Sequence, residues 1–125
     1  MKVIYLILLI LSISISKTNA RNTNSEIEQL LIFVENPKCQ FERNGDMYSG
    51  IEAIKHIQKK HHYYEDDIKT AEDFIEYSAT KSKLSGKYYK IHCKEMPIIK
   101  SKSWLLEELK KIRIKRLTTK VKRFE

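Results

Sequence analysis

The chain has 125 residues, 24 Lys and Arg against 16 Asp and Glu, a formal charge of +8 and two cysteines. No Gly/Ser-rich or Pro-rich linker divides it and no internal repeat is visible, which excludes a tandem or repeat architecture and leaves a single domain of ordinary size.

The first twenty residues read as a secretory signal peptide. Met1-Lys2 gives a positive start, Val3 to Leu11 is an unbroken apolar run, and Thr18-Asn19-Ala20 supplies the small residues a signal peptidase reads. The run is shorter than the roughly 20 apolar residues a membrane-spanning helix needs. Cleavage after Ala20 removes Lys2 and Lys17 and leaves 22 basic against 16 acidic residues in a domain covering 21–125. The expected location is the periplasm or the exterior, with no transmembrane segment after the leader is removed. Export makes a nucleic-acid partner improbable despite the positive charge.

Ser25-Glu26-Ile27-Glu28 has the form of a capping box, followed by Ile27, Leu30, Leu31 and Val34 at helical spacing. Asn36-Pro37 ends that helix. Cys39 to Tyr48 reads as a hairpin about Asn44-Gly45, which tolerates the positive φ of a type I′ turn. Arg43 and Asp46 flank the turn and could pair across it.

Ser49-Gly50-Ile51-Glu52 is a second capping box. Ile54, Ile57, His61, Tyr64 and Ile68 then mark one face of a long helix. Thr70-Ala71-Glu72-Asp73 opens a third helix with Ala71, Phe74, Ile75 and Ser78 on its inner face. Leu84-Ser85-Gly86 is a stop, and Tyr88 to Cys93 alternates as a strand that Pro97 breaks. Ser103 is the expected cap of a last helix with Trp104, Leu105, Leu109, Ile112 and, at its end, Leu117 on its apolar face. The expected fold is α+β: about four helices on a small antiparallel sheet of two or three strands. In an oxidising compartment Cys39 and Cys93 are most simply one disulfide, and the alternative is a pair of free thiols.

The ordered segments "CQFERNG", "AIKHIQKK", "TAEDFIEY", "TKSKLSGKYY" and "SWLLEEL" resemble the YfeK-like family of small bacterial periplasmic proteins, whose function is uncharacterised. The resemblance spans Glu26 to Ile112. It maps onto Arg43, Asn44 and Gly45; His56 and Lys60; Ala71, Glu72, Phe74 and Ile75; and Ser82, Ser85, Gly86 and Tyr89. It departs at His61 and His62, where that family commonly has an aromatic residue after the lysine. It implies a fold and a compartment, and no activity.

Three groups of polar residues invite chemistry. His61/Glu65 and His62/Asp66 are paired at i, i+4, yet His61 and His62 point about 100° apart, so they cannot chelate one ion together on a straight helix. No metal or cofactor is expected. Arg43, His56, Glu72, Ser82 and Ser85 come from different segments and could converge on an acid–base cleft or serve structure alone. One structural version has Arg43 anchoring the hairpin to Glu72. There is no nucleophile elbow, zinc-protease helix or phosphate loop, and no catalytic residue is assigned. Lys110, Lys111, Arg113, Lys115 and Arg116 form a basic C-terminal stretch suited to an anionic lipid, a polysaccharide or an acidic envelope protein, or else a solvated face. The leading expectation is a non-enzymatic binding module. The alternative is a small hydrolase or transferase using Arg43, His56 and Glu72.

Overall fold

The computed structural model describes residues 19–36 and 38–125. The expected leader lies outside the described residues, except for its last two positions. The elements are a helix described from 19 to 34 (α1), β1 (Cys39–Arg43), β2 (Asp46–Tyr48), α2 (Gly50–Tyr63), α3 (Ala71–Ser78), β3 (Lys90–Cys93), β4 (Ile99–Lys100) and α4 (Ser101–Phe124). This is an α+β fold with one Cys39–Cys93 disulfide.

The sheet is antiparallel, in the order β2-β1-β3-β4. Asn44 at φ 52° and Gly45 at φ 86° make the expected hairpin turn. Cys39 and Cys93 sit directly opposite each other on β1 and β3, with Cα atoms 4.1 Å apart. Because side chains alternate along a strand, Cys39, Phe41 and Arg43 share one face with Ile91 and Cys93. That face meets the helices. Gln40, Glu42, Lys90 and His92 occupy the other, where Glu42 pairs with His92 and Lys90.

The core joins Ile27, Leu30 and Val34 of α1 to Phe41, Ile57, Phe74, Ile75, Ile91, Leu105 and Leu109. Trp104 stacks on Phe33 and meets Phe41 edge-on, so one indole ties α1, β1 and α4 together. Gly50 allows the first turn of α2 to approach the end of α1. A Cβ there would collide with the Val34 carbonyl oxygen.

Both internal capping boxes form, at Ser49/Glu52 and at Thr70/Asp73. Other expectations need correction. The helix runs through Ser25 rather than starting there, since nothing between residues 19 and 25 breaks it. Glu26 is buried and ion-paired instead of belonging to a cap. α2 stops at Tyr63, short of Ile68; Asp66 and Asp67 would sit unfavourably at the negative end of a longer helix. The sheet has a fourth strand, because the chain reverses at Glu95 (φ 62°) and Ile99 pairs with Ile91. α4 begins at Ser101 rather than after Ser103, its first N–H tied to the Tyr89 carbonyl.

A basic cleft as the candidate functional site

The hairpin register places Arg43 on the inner face of β1, opposite Asp46 across the ladder. Its guanidinium turns inward. Nη1 lies 2.5 Å from Nδ1 and 3.0 Å from Nε2 of His56 on α2, and Nη2 donates to the Tyr48 hydroxyl at 3.3 Å. The guanidinium carbon stands 4.9 Å from the centre of the Tyr48 ring. The expected partners Glu72 and Asp46 are not the ones it takes.

A guanidinium has no acceptor, so whichever ring nitrogen of His56 is unprotonated is the one that can accept from it. His56 Nε2 also lies 3.2 Å from the Tyr89 hydroxyl. Lys60, one turn along α2, donates to the same hydroxyl at 3.2 Å and to the Lys81 carbonyl at 2.8 Å. Burial, then the charges of Arg43 and Lys60, lower the His56 pKa to about 4, so the ring is neutral at pH 7. Burial, then Arg43, lower Lys60. Burial raises Tyr89 against the pull of Arg43, keeping the phenol protonated.

Asn44, Ser82, Ser85 and Gly86 frame this cluster. The Ser85 hydroxyl donates to Asn44 Oδ1 at 2.6 Å, joining the hairpin turn to the loop after α3. Ser82 accepts from the Ser85 N–H, and Gly86 takes φ 70° to close the loop. The loop also brings in Lys83, whose ammonium lies 5.1 Å from the Tyr64 ring centre.

Two adjoining depressions open on this cluster and share Arg43, His56, Lys59 and Tyr89. One, of about 500 Å³, is lined further by Asn44, Lys60, Ser82 and Lys83 and contains no carboxylate. The other, of about 360 Å³, has an apolar floor of Phe41, Tyr48, Ala53 and Ile57. Glu42 and Glu52 reach its rim, but Glu42 pairs with His92 and Lys90, and Glu52 is spent on the Ser49 cap. Among the described residues, neither Arg43 nor Lys60 has a carboxylate partner.

Glu72 lies elsewhere. It binds Arg113 of α4 through two oxygens, at 2.7 and 3.1 Å. Arg113 also binds the buried Glu26 at 2.9 and 3.1 Å, and Arg116 reaches Glu26 at 3.1 Å. These hydrogen bonds lower the Glu72 pKa and raise that of Arg113. The network clamps α1, α3 and α4, so Arg113 and Arg116 are occupied internally. Lys110, Lys111 and Lys115 are exposed and carry no ion pair among the described residues. His61 packs edge-on to Phe74, while the exposed His62 lies 3.5 Å from Glu65. Among the described residues no three His, Cys, Asp or Glu side chains are grouped to hold a metal ion.

Sequence reasoning missed Tyr48, Lys59 and Lys83 as cleft residues. Tyr48 was within reach, because it pairs with the inward Phe41 once the turn is fixed.

The family model of DUF5329, a family of unknown function, matches residues 21–113. The chain belongs to this family. No curated protein and no solved structure matches it. Every residue of the DUF5329 cleft from Phe41 to Ser101 lies inside the matched span.

Proposed function

We propose that the chain is an exported, non-catalytic binding module that takes an anionic group in the cleft between the hairpin, α2 and the loop after α3. The observation that carries this reading is the pair Arg43 and Lys60. Both are partly buried, and they share the neutral His56 and Tyr89 side chains with no carboxylate among the described residues to compensate them. Crowding two cations out of water costs free energy that an opposite charge returns. The cleft offers guanidinium, ammonium and phenol donors together, which suits a phosphate or carboxylate. The apolar floor beside it suits a ligand whose acidic head is joined to an apolar body.

The leader, the disulfide and the YfeK-like resemblance support an oxidising, periplasmic or extracellular setting. Among the described residues no helix is long and apolar enough to cross a membrane. The acid–base alternative is less well supported. Glu72 is engaged with Arg113, and a histidine of pKa about 4 is a weak base at neutral pH.

The test is thermal unfolding against a panel of phosphate monoesters and amphiphilic carboxylates. A ligand that binds the folded state alone raises the midpoint with concentration. The wild type should show a saturable rise that Arg43→Gln and Lys60→Gln each abolish. A rise undiminished in both variants would place the anion elsewhere.

A further inference from the structure

The last buried residue of α4 is Ile112, yet the helix continues to Phe124. Along that continuation Ile114, Leu117, Val121 and Phe124 are 55%, 60%, 59% and 92% exposed. Their spacings of three, four and three put them on one stripe. At 3.6 residues per turn the stripe points roughly 130° away from the line of Leu105, Leu109 and Ile112, so it is no part of the core face. Thr118 and Thr119 turn their hydroxyls back onto the Ile114 and Lys115 carbonyls, which hides two polar groups. Lys115 and Lys122 border the stripe on one side and Lys120 on the other. Arg116 and Arg123 follow on the far face, and Glu125 is the one acid beyond Ile112.

We infer that residues 114–124 of α4 form an interfacial anchor, which lies with its apolar stripe in an anionic bilayer surface. A basic amphipathic helix with an exposed apolar stripe has two complementary attractions to such a surface: burial of the stripe among acyl chains and pairing of the lysines with lipid phosphates. The charge argues against a second copy of the chain, since two such helices would bring like-charged flanks together. The family match ends at Arg113, so residues 114–124 lie outside the matched span that holds the cleft.

Phe124→Trp provides a local reporter, because Trp104 is buried and contributes a constant background. The variant is studied in the full chain and again in a chain beginning at Arg21, which retains every core residue. Its added tryptophan should shift to the blue with vesicles of equal parts phosphatidylcholine and phosphatidylglycerol, and not with phosphatidylcholine alone. Lys120→Glu with Lys122→Glu should weaken partitioning on the order of tenfold or more, given about 1 kcal/mol per surface lysine. Leu117→Ser with Val121→Ser should abolish it without lowering the unfolding midpoint, since both side chains are exposed. Arg43→Gln should partition as the parent does. The inference is overturned if the serine pair binds anionic vesicles as well as the parent. It is equally overturned if soluble polyphosphate produces the same shift, or if the parent sediments as a dimer that the serine pair dissociates.

Discussion

Arg43 donates to His56 across the seam between the hairpin and α2, its Nη1 2.5 Å from the imidazole Nδ1. The Arg43 charge adds to the burial that holds His56 neutral, and the ring in turn lies 3.2 Å from the Tyr89 hydroxyl. The contact follows from strand register: a turn at Asn44-Gly45 leaves Arg43 on the same face as Phe41, toward the helices.

The first prediction compares two glycines. Gly45 is needed for its left-handed φ, with nothing within 4 Å of an added Cβ. Gly45→Ala should therefore cost about 1 kcal/mol. Gly50→Ala drives a Cβ into the backbone of α1 and should cost about 2 kcal/mol or more. Denaturant unfolding measures both, and the reverse order would mean that the α1–α2 junction is looser than the structure shows.

The second prediction concerns the clamp on α4. Glu26 has a side chain 5% exposed, while that of Glu72 is 50% exposed. Glu26→Ala removes the three charge-assisted hydrogen bonds that tie α1 to Arg113 and Arg116 and should cost about 1.5–3 kcal/mol. Glu72→Ala should cost less than about 1 kcal/mol, as partly exposed pairs do. A double-mutant cycle on Arg43 and Glu72 should be additive, because the two belong to separate networks.

These two cases show where the sequence is legible. The turn, the Ser49 and Thr70 caps, the cysteine pairing and the α+β class rest on local chemistry or on a pair with one possible outcome. The partner of Arg43 does not. Glu72 looked suitable because a carboxylate is favoured in the first turn of a helix, but that argument is equally satisfied by any arginine. Arg113 lies 41 positions further on, and only the packing of α4 against α3 brings it there. The fourth strand was hidden for a similar reason, since Ile99 and Lys100 are too few to read as a strand without β3 beside them.

The third prediction is a pH dependence. Unfolded, His56 takes up a proton near 6.5; folded, it does so only near 4. Between those values the unfolded chain binds more protons, so stability should fall as the pH is lowered from about 6.5 toward about 4. The lowered carboxylates Glu52 and Glu72 act in a different window, their stabilisation being lost only as the pH drops below 4.5 and through their folded values. His56→Gln should flatten the upper part of the curve. An unchanged slope between pH 6.5 and 4.5 would show that His56 is not held neutral.

The central claim is that Arg43 and Lys60 create a place for an anion beside a neutral His56 and the protonated phenol of Tyr89. The most direct measurement is nuclear magnetic resonance of the His56 and Tyr89 side chains during titration with inorganic phosphate near neutral pH. Both sets of signals should move saturably, the His56 pKa should rise from about 4 as the anion offsets the neighbouring cations, and Arg43→Gln with Lys60→Gln should remove both effects. Unmoved His56 and Tyr89 signals, with changes confined to Lys110, Lys111 and Lys115, would contradict the account.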